Sequence, residues 1–221
     1  MLFKTTNIRE YVDPKVIFEF GAFNGADSIK YGTAFPEAKV YSMEADPKNY
    51  ELTKNHIDSR DNTNVELFYY AISDRTGVID FYPGTFTRFV KQCKRGIDAP
   101  GWSGSILKQT DLYKEDQVGL QKFEETIQVP SITIKDFCAM HNISEIDFMH
   151  IDVEGAIKQV IDGFGEIRPK LIYAEVGADH VNYKEFFTNS NTEAEHLEMF
   201  SKLGYTRMKK YRGNSLFLHK A

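Results

Sequence analysis

The residues best suited to chemistry in this chain are a glycine turn and a small set of carboxylates. The apolar run Val16–Phe20 ends in G-A-F-N-G over residues 21–25, and a second apolar run at residues 40–43 ends in Glu44. A glycine turn after one strand and an acid at the end of the next, about twenty residues on, is the layout of a site for an adenosine-containing cofactor. Gly21 and Gly25 let the backbone turn and approach a ligand. Ala22, Phe23 and Asn24 lie between them, with Glu19 just before. The Glu44 carboxylate, followed by Ala45, can accept hydrogen bonds from both hydroxyls of a ribose. Ala71-Ile72-Ser73, at the end of a third apolar run, would lie across the adenine, with the apolar pair on the ring and the serine at its edge. A nicotinamide and a sulfonium cofactor fit this half-site equally well.

A second group is Asp152, Glu154 and Glu175. Asp152 and Glu154 share a face if the chain there is extended, and both follow an apolar run at residues 146–151. Carboxylates in such places call for a counter-charge. A ligand ammonium, such as that of a methionine moiety, would supply it. So would a hard divalent ion such as magnesium, held by Asp152, Glu175 and water. The structural alternatives are a helix cap for Glu154 and a loop-holding role for Asp152. His180, in G-A-D-H beyond Glu175, is placed to act as a general base, since an imidazole of reference pKa about 6.5 takes up protons near neutrality, with Asp179 next to it and Asp152 as the other candidates. His150 reads as a core histidine, and His141 and His219 as surface residues.

The elements that must position these groups alternate. Strands are expected over residues 15–20, 39–43, 65–71, 146–151 and 171–176, with helices over 25–35, 156–161 and 193–204. Asp46-Pro47 opens a further helix as cap and first turn. Asp27 or Ser28 is placed to meet the free amides of the helix over 25–35. Residues 1–14 would cover one edge. Short joins between alternating strands and helices argue an open α/β sheet whose strand ends stay free for ligands. Two last strands, near 205–208 and 215–218, form a hairpin. The regularity breaks between residues 74 and 128, and within it residues 84–125, rich in glycine, aromatic and basic residues, read either as a long surface connection or as a lid or binding loop, with Trp102 at the most telling point.

Size and composition agree with one folded domain over residues 1–221. The chain has 221 residues, 42% hydrophobic and 27% charged, with aromatics at 14%. A net charge of −5 gives no general reason to expect nucleic acid as partner. Two distant cysteines, Cys93 and Cys138, fit a reducing cytoplasmic setting better than a disulfide framework or a zinc site. The sequence carries no apolar stretch that suggests membrane insertion. A homo-oligomer is left open.

Several segments resemble the FkbM family of S-adenosylmethionine-dependent methyltransferases: V-I-F-E-F-G-A-F-N-G, V-Y-S-M-E-A-D-P, N-V-E-L-F-Y-Y-A-I-S-D, W-S-G-S-I, V-P-S-I-T-I-K-D-F and, above all, I-D-F-M-H-I-D-V-E-G-A. The glycine loop departs from the commoner G-A-N-x-G by placing Asn24 one position later. The resemblance implies a seven-stranded, mostly parallel Rossmann-like sheet with a C-terminal antiparallel strand. It implies S-adenosylmethionine as cofactor, its methionine part on the glycine loop, its ribose on Glu44 and its methyl group toward Asp152. It further implies O-methylation of a hydroxyl on a small molecule or sugar. A nicotinamide oxidoreductase and a non-catalytic cofactor-binding module are the competing readings. The carboxylates around Asp152 speak against both.

Overall fold

A computed structural model describes residues 3–60, 64–86, 99–100, 104–112, 121–123, 125–177 and 183–220. The chain begins with α1 (Thr5–Arg9), β1 (Val16–Phe20), α2 (Ala26–Ala34), β2 (Lys39–Glu44), α3 (Pro47–Asp58) and β3 (Val65–Tyr69). Short strands follow: β4 (Ala71–Ile72), β5 (Gly77–Phe81), β6 (Gly84–Phe86), β7 (Ala99–Pro100), β8 (Gln121–Phe123) and the longer β9 (Ile127–Ile132). Alternation then resumes with α4 (Ile134–Met140), β10 (Phe148–Ile151), α5 (Ile157–Asp162) and β11 (Leu171–Glu175). The chain closes with α6 (Tyr183–Phe186), α7 (Glu193–Lys202) and the hairpin β12 (Tyr205–Tyr211) and β13 (Asn214–His219).

Seven strands form the main sheet in the order β12-β13-β11-β10-β1-β2-β3. Pairing is parallel from β11 through β3, while β13 runs against both β11 and β12. This is the expected architecture. Its central strands are apolar on both sides because helices cover both faces. Phe18, Phe20, Met43, Met149 and Ile151 pack under α4, α5 and α7 through Phe137, Val160 and Phe200. Ile17, Val40, Phe148 and Leu171 pack on the opposite face against Ile8, Tyr31, Phe35 and Ile57 of α1, α2 and α3. Because side chains alternate along a strand, Glu19 falls on this second face. There it stands in register with Ser42 of β2 and His150 of β10, and His150 with Tyr173 of β11.

Four local expectations change. The third strand stops at Tyr69, and Ala71–Ile72 leaves the main sheet to pair with Ser131 and Ile132 of β9. The N-terminal lead-in covers a face and not an edge: Phe3 stacks on Tyr173 at 3.9 Å and meets Tyr211 edge-on. Neither Asp27 nor Ser28 caps α2. The Asn24 side chain accepts the Ala26 amide at 3.0 Å, and Ser28 turns inward to Glu19. His141 and His219 are both half-buried, with ring centroids 4.3 Å from Phe137 and 4.9 Å from Tyr205 respectively. By contrast, α3 opens as expected, with the Asp46 carboxylate accepting the Lys48 amide at 2.8 Å.

At the end of the sheet away from the glycine turn, Asp147 pins three strands. One of its oxygens accepts the Lys15 and Val16 amides at 2.8 and 3.0 Å, and the other accepts Lys170 Nζ at 2.8 Å. Burial pushes its carboxyl up, but these donors outweigh burial and hold it below the ordinary value. Replacing it with asparagine should cost about 1–3 kcal/mol in urea unfolding near neutral pH. The depressed carboxyl stabilises the fold above the unfolded-state pKa of about 3.9 and loses that effect as pH falls through its folded value. The gap between wild type and Asp147→Asn should therefore close on acidification.

Candidate active site

The glycine turn forms where β1 runs out against β10. The Asp152 amide donates to the Phe20 carbonyl at 3.0 Å, and the Gly21 and Ala22 amides donate to the Met43 carbonyl of β2 at 3.0 and 3.2 Å. Gly21 has φ +82, and a Cβ on it would lie 1.9 Å from the Asp152 carbonyl oxygen. A side chain is excluded by space as well as by backbone conformation. Phe23, two residues on, takes the left-handed region at φ +51 without being glycine, a conformation costing about 1–2 kcal/mol. Three groups hold it and its neighbour. Glu44 Oε2 accepts the Phe23 amide at 2.7 Å, Thr53 donates to the Phe23 carbonyl at 2.8 Å, and His56 Nδ1 donates to the Asn24 carbonyl at 2.8 Å.

Glu44 thus has a second task beside the one read from its spacing. Its other oxygen accepts the Asp46 amide at 2.8 Å, so the carboxylate ties the turn to the start of α3 while still facing the cleft. It is 5% exposed. Burial raises its pKa to about 7 against the lowering effect of these amides. The Ala45 amide donates to this carboxylate as well, which leaves one of its roughly four acceptor positions for a ligand hydroxyl.

Across the cleft, Glu154 and Gly155 are consecutive left-handed residues, φ +46 and +82. This turn is stapled from outside: Ser105 Oγ donates to the Glu154 carbonyl and Ser190 Oγ to the Gly155 carbonyl, both at 2.8 Å. The Glu154 side chain does not cap α5, whose N-cap Ala156 has no side-chain bond. Carboxylate oxygens of Asp152, Glu154 and Glu175 lie within 4.8 Å of one another. Burial and the adjacent Glu175 push Asp152 well above the ordinary carboxylate range, and burial with both neighbours does the same to Glu154. Like charges this close cannot all ionise without a cation or a retained proton.

One cleft joins the two groups. Of the residues picked out by sequence, Gly21, Phe23, Glu44, Ala45, Ala71, Ile72, Asp152, Glu154 and Glu175 line it. Ala22, Asn24 and Gly25 belong to the same turn but do not line the cleft. Ser73 and Glu19 lie elsewhere. The Ser73 hydroxyl donates to Asp74 at 2.9 Å and its amide to Ile132 at 3.2 Å, which follows from β4 joining the second sheet. Glu19 points to the α2 face, where Ser42 donates to it at 2.8 Å and Ser28 also donates to it. Burial lifts its pKa to about 8. His150, on the same face, meets the Tyr31 hydroxyl at 3.2 Å and is kept neutral by burial. His180, Asp179 and Trp102 lie outside the described residues. Sequence reasoning missed Asn49, Tyr70 and Phe81, which also line the cleft. Tyr70 and Phe81 flank the irregular strands and carry no periodic signal.

The profile of the family described as the methyltransferase FkbM domain matches residues 19–209. A 2-O-methyltransferase, NoeI of Sinorhizobium fredii, is 31% identical over 173 residues, which is 76% of this chain. The chain spans 65% of that relative's length. Among solved structures, a precorrin-6y C5,15-methyltransferase from Geobacter metallireducens superposes with TM-score 0.48 at 11% identity, over 97% of this chain and 85% of that one. A SAM-dependent methyltransferase from Aquifex aeolicus superposes at 0.47 with 9% identity, over 96% and 85%. Neither structural likeness bears on function.

Two substitutions probe this geometry. Gly21→Ala should lose at least about 2 kcal/mol in denaturant unfolding, because both clash and backbone strain act on one residue. Glu19 carries the opposite pH signature to Asp147. A carboxyl raised from 4.5 to about 8 on folding makes wild-type stability fall as pH rises through that window. Glu19→Gln should remove that part of the slope, as read by unfolding free energy from pH 5 to 8.5.

Proposed function

The chain belongs to the FkbM methyltransferase family, and from that premise we propose that it transfers a methyl group from S-adenosylmethionine to a hydroxyl oxygen of a small molecule or saccharide. The observation that carries the reading is the meeting of two unlike acidic sites in one cleft. At one end stands a single oriented carboxylate, Glu44, beside a glycine turn. At the other stand three crowded carboxyls. A nicotinamide cofactor would use the first and leave the second without a purpose. A cofactor with a ribose, an ammonium and a sulfonium uses both. The NoeI relative is a 2-O-methyltransferase, which supports oxygen as the acceptor atom.

The residues present suit that cofactor. Glu44 would hold the ribose hydroxyls, Ala71 and Ile72 would cover the adenine, and the turn at Gly21 and Phe23, which lines the same cleft, would flank the methionine part. The cofactor supplies an electrophilic methyl group on a good leaving group. What remains for the protein is alignment of the acceptor oxygen and removal of its proton. An ionised member of the Asp152–Glu154–Glu175 cluster is placed for the second task, and His180 is the other base that the sequence offers. Phe81, Ile106 and Val153 give the acceptor side an apolar wall. The three carboxyls also make the donor set of a hard divalent cation such as magnesium, with Asp152 and Glu175 as its holders. Activity surviving a strong chelator would dismiss that second reading.

Calorimetric titration with S-adenosylhomocysteine is the primary test, and saturable binding is the expected result. No heat from protein with a native circular dichroism spectrum would sink the proposal. In the same assay, reduced nicotinamide cofactor should give none. Asp152→Ala should lower turnover by about 100-fold or more at saturating cofactor. Full turnover in that variant would remove Asp152 from the mechanism.

A further inference from the structure

On the α2 side of the sheet, beneath the glycine turn, three side chains able to ligate an ion converge. Glu19 lies two residues before Gly21, Asp27 two residues after Gly25, and His150 two residues before Asp152. Alternation along β1 and β10 turns Glu19 and His150 away from the cleft, side by side in the parallel register. Asp27 reaches them from the first turn of α2. Carboxylate oxygens of Glu19 and Asp27 and a ring nitrogen of His150 all lie within 4.8 Å of one another. Two of the three are deeply buried and only half satisfied. Glu19 is 1% exposed; Ser28 and Ser42 both donate to its Oε2, and among the described residues nothing donates to Oε1. His150 is 6% exposed, and its hydrogen-bond partner among the described residues is the Tyr31 hydroxyl on Nδ1, at 3.2 Å. The other ring nitrogen meets none of them. Leaving such atoms buried and unmatched is costly, and a carboxylate this deep calls for a cation. Lys30 does not supply it. Its ammonium pairs with Asp27 at 3.0 Å where both side chains are exposed, an arrangement that contributes little, and among the described residues no ion pair includes Glu19.

We infer that Glu19, Asp27 and His150 form a site for a borderline divalent ion such as zinc, separate from the carboxyl cluster in the cleft. Two carboxylates and one imidazole are a donor set that this ion accepts, with nitrogen at about 2.0–2.1 Å, oxygen at about 2.0–2.2 Å and a further position left for water. Small side-chain rotations are enough to draw the three ligand atoms around one ion. The groups behind them already have the form that a metal site requires. The Tyr31 hydroxyl orients the imidazole, while Ser28 and Ser42 hold the Glu19 carboxylate from β2 and α2. The nitrogen ligand also sets this site apart from Asp152, Glu154 and Glu175. An all-oxygen set suits magnesium, whereas an imidazole in the set moves the preference toward zinc and cobalt. An ion held here joins β1, α2 and β10 at points two residues from either end of the glycine turn and two residues from Asp152. It braces the loop that shapes the cleft without entering the cleft.

The test is binding of cobalt(II), the spectroscopic stand-in for zinc, to untagged protein stripped of metal. Excess magnesium is present to fill all-oxygen sites, and binding is read by visible absorption and by thermal unfolding. The wild type should bind cobalt saturably and unfold at a higher temperature with it than without. Asp27→Asn and His150→Gln should each weaken binding about tenfold or more and remove the thermal shift. Glu175→Gln, which alters the cleft cluster, should bind within about twofold of wild type. Absence of saturable binding by the wild type would overturn the proposal, and so would wild-type affinity in Asp27→Asn. Binding lost in Glu175→Gln but kept in Asp27→Asn would place the ion in the cleft and refute the proposal equally. If His150→Gln fails to fold, Asp27→Asn still decides, because Asp27 is only half-buried and its replacement leaves the core untouched.

Discussion

Backbone touches backbone where β1 and β10 end. Gly21 lies so close to the Asp152 carbonyl that no side chain fits between them, and the Asp152 amide is bonded to the Phe20 carbonyl. From that contact the two chains diverge, one into the glycine turn toward Glu44, the other into the acidic turn toward Glu154. A cleft bounded by both turns is the necessary result. If the strand ends were held even one side chain apart, Glu44 and the carboxyl cluster would no longer line one cleft. Adjacent parallel strands whose connections leave in opposite directions make such a crevice generally. Here Glu44, with its bonds to Phe23 and Asp46, fixes one lip. Ser105 and Ser190 fix the other.

Burial does the electrical work. The acids around the cleft are raised above their ordinary values chiefly because burial disfavours their charged forms. A cluster with raised pKa values is short of positive charge, and a cationic ligand relieves it. Perturbed acids in a cleft point to function only in combination with geometry. Glu19 shows why. Burial raises it at least as far as Glu44, yet it serves the far face of the sheet, bonded to Ser28 and Ser42 beside His150. Its hydrogen bonds tie α2 to β1 and β2 under the glycine turn, so it acts on the cleft only through the frame.

The main sheet was legible because its strands are short, apolar and separated by short helices, and the site acids were legible because they end such strands. Glu44 and Asp152 fall where the spacing puts them. Glu19 was misplaced for a reason of period: it sits one residue before the end of β1, and the alternation that carries Phe20 to the cleft carries Glu19 away. Ser73 failed because β4 belongs to another sheet, and nothing in A-I-S-D announces the change of partner. The wall behind the acidic turn carried no signal at all. It forms where residues 104–110 and 183–190 meet across more than seventy positions of sequence, a tertiary fact that local patterns do not encode.

The account stands or falls on what occupies the crevice between the two turns. A crystal structure of the protein grown with S-adenosylhomocysteine tests this most directly. The account predicts the ribose hydroxyls within hydrogen-bond distance of Glu44, the adenine against Ala71 and Ile72, and the ammonium among Asp152, Glu154 and Glu175. Ligand density at another surface, or a ribose turned away from Glu44, would contradict it.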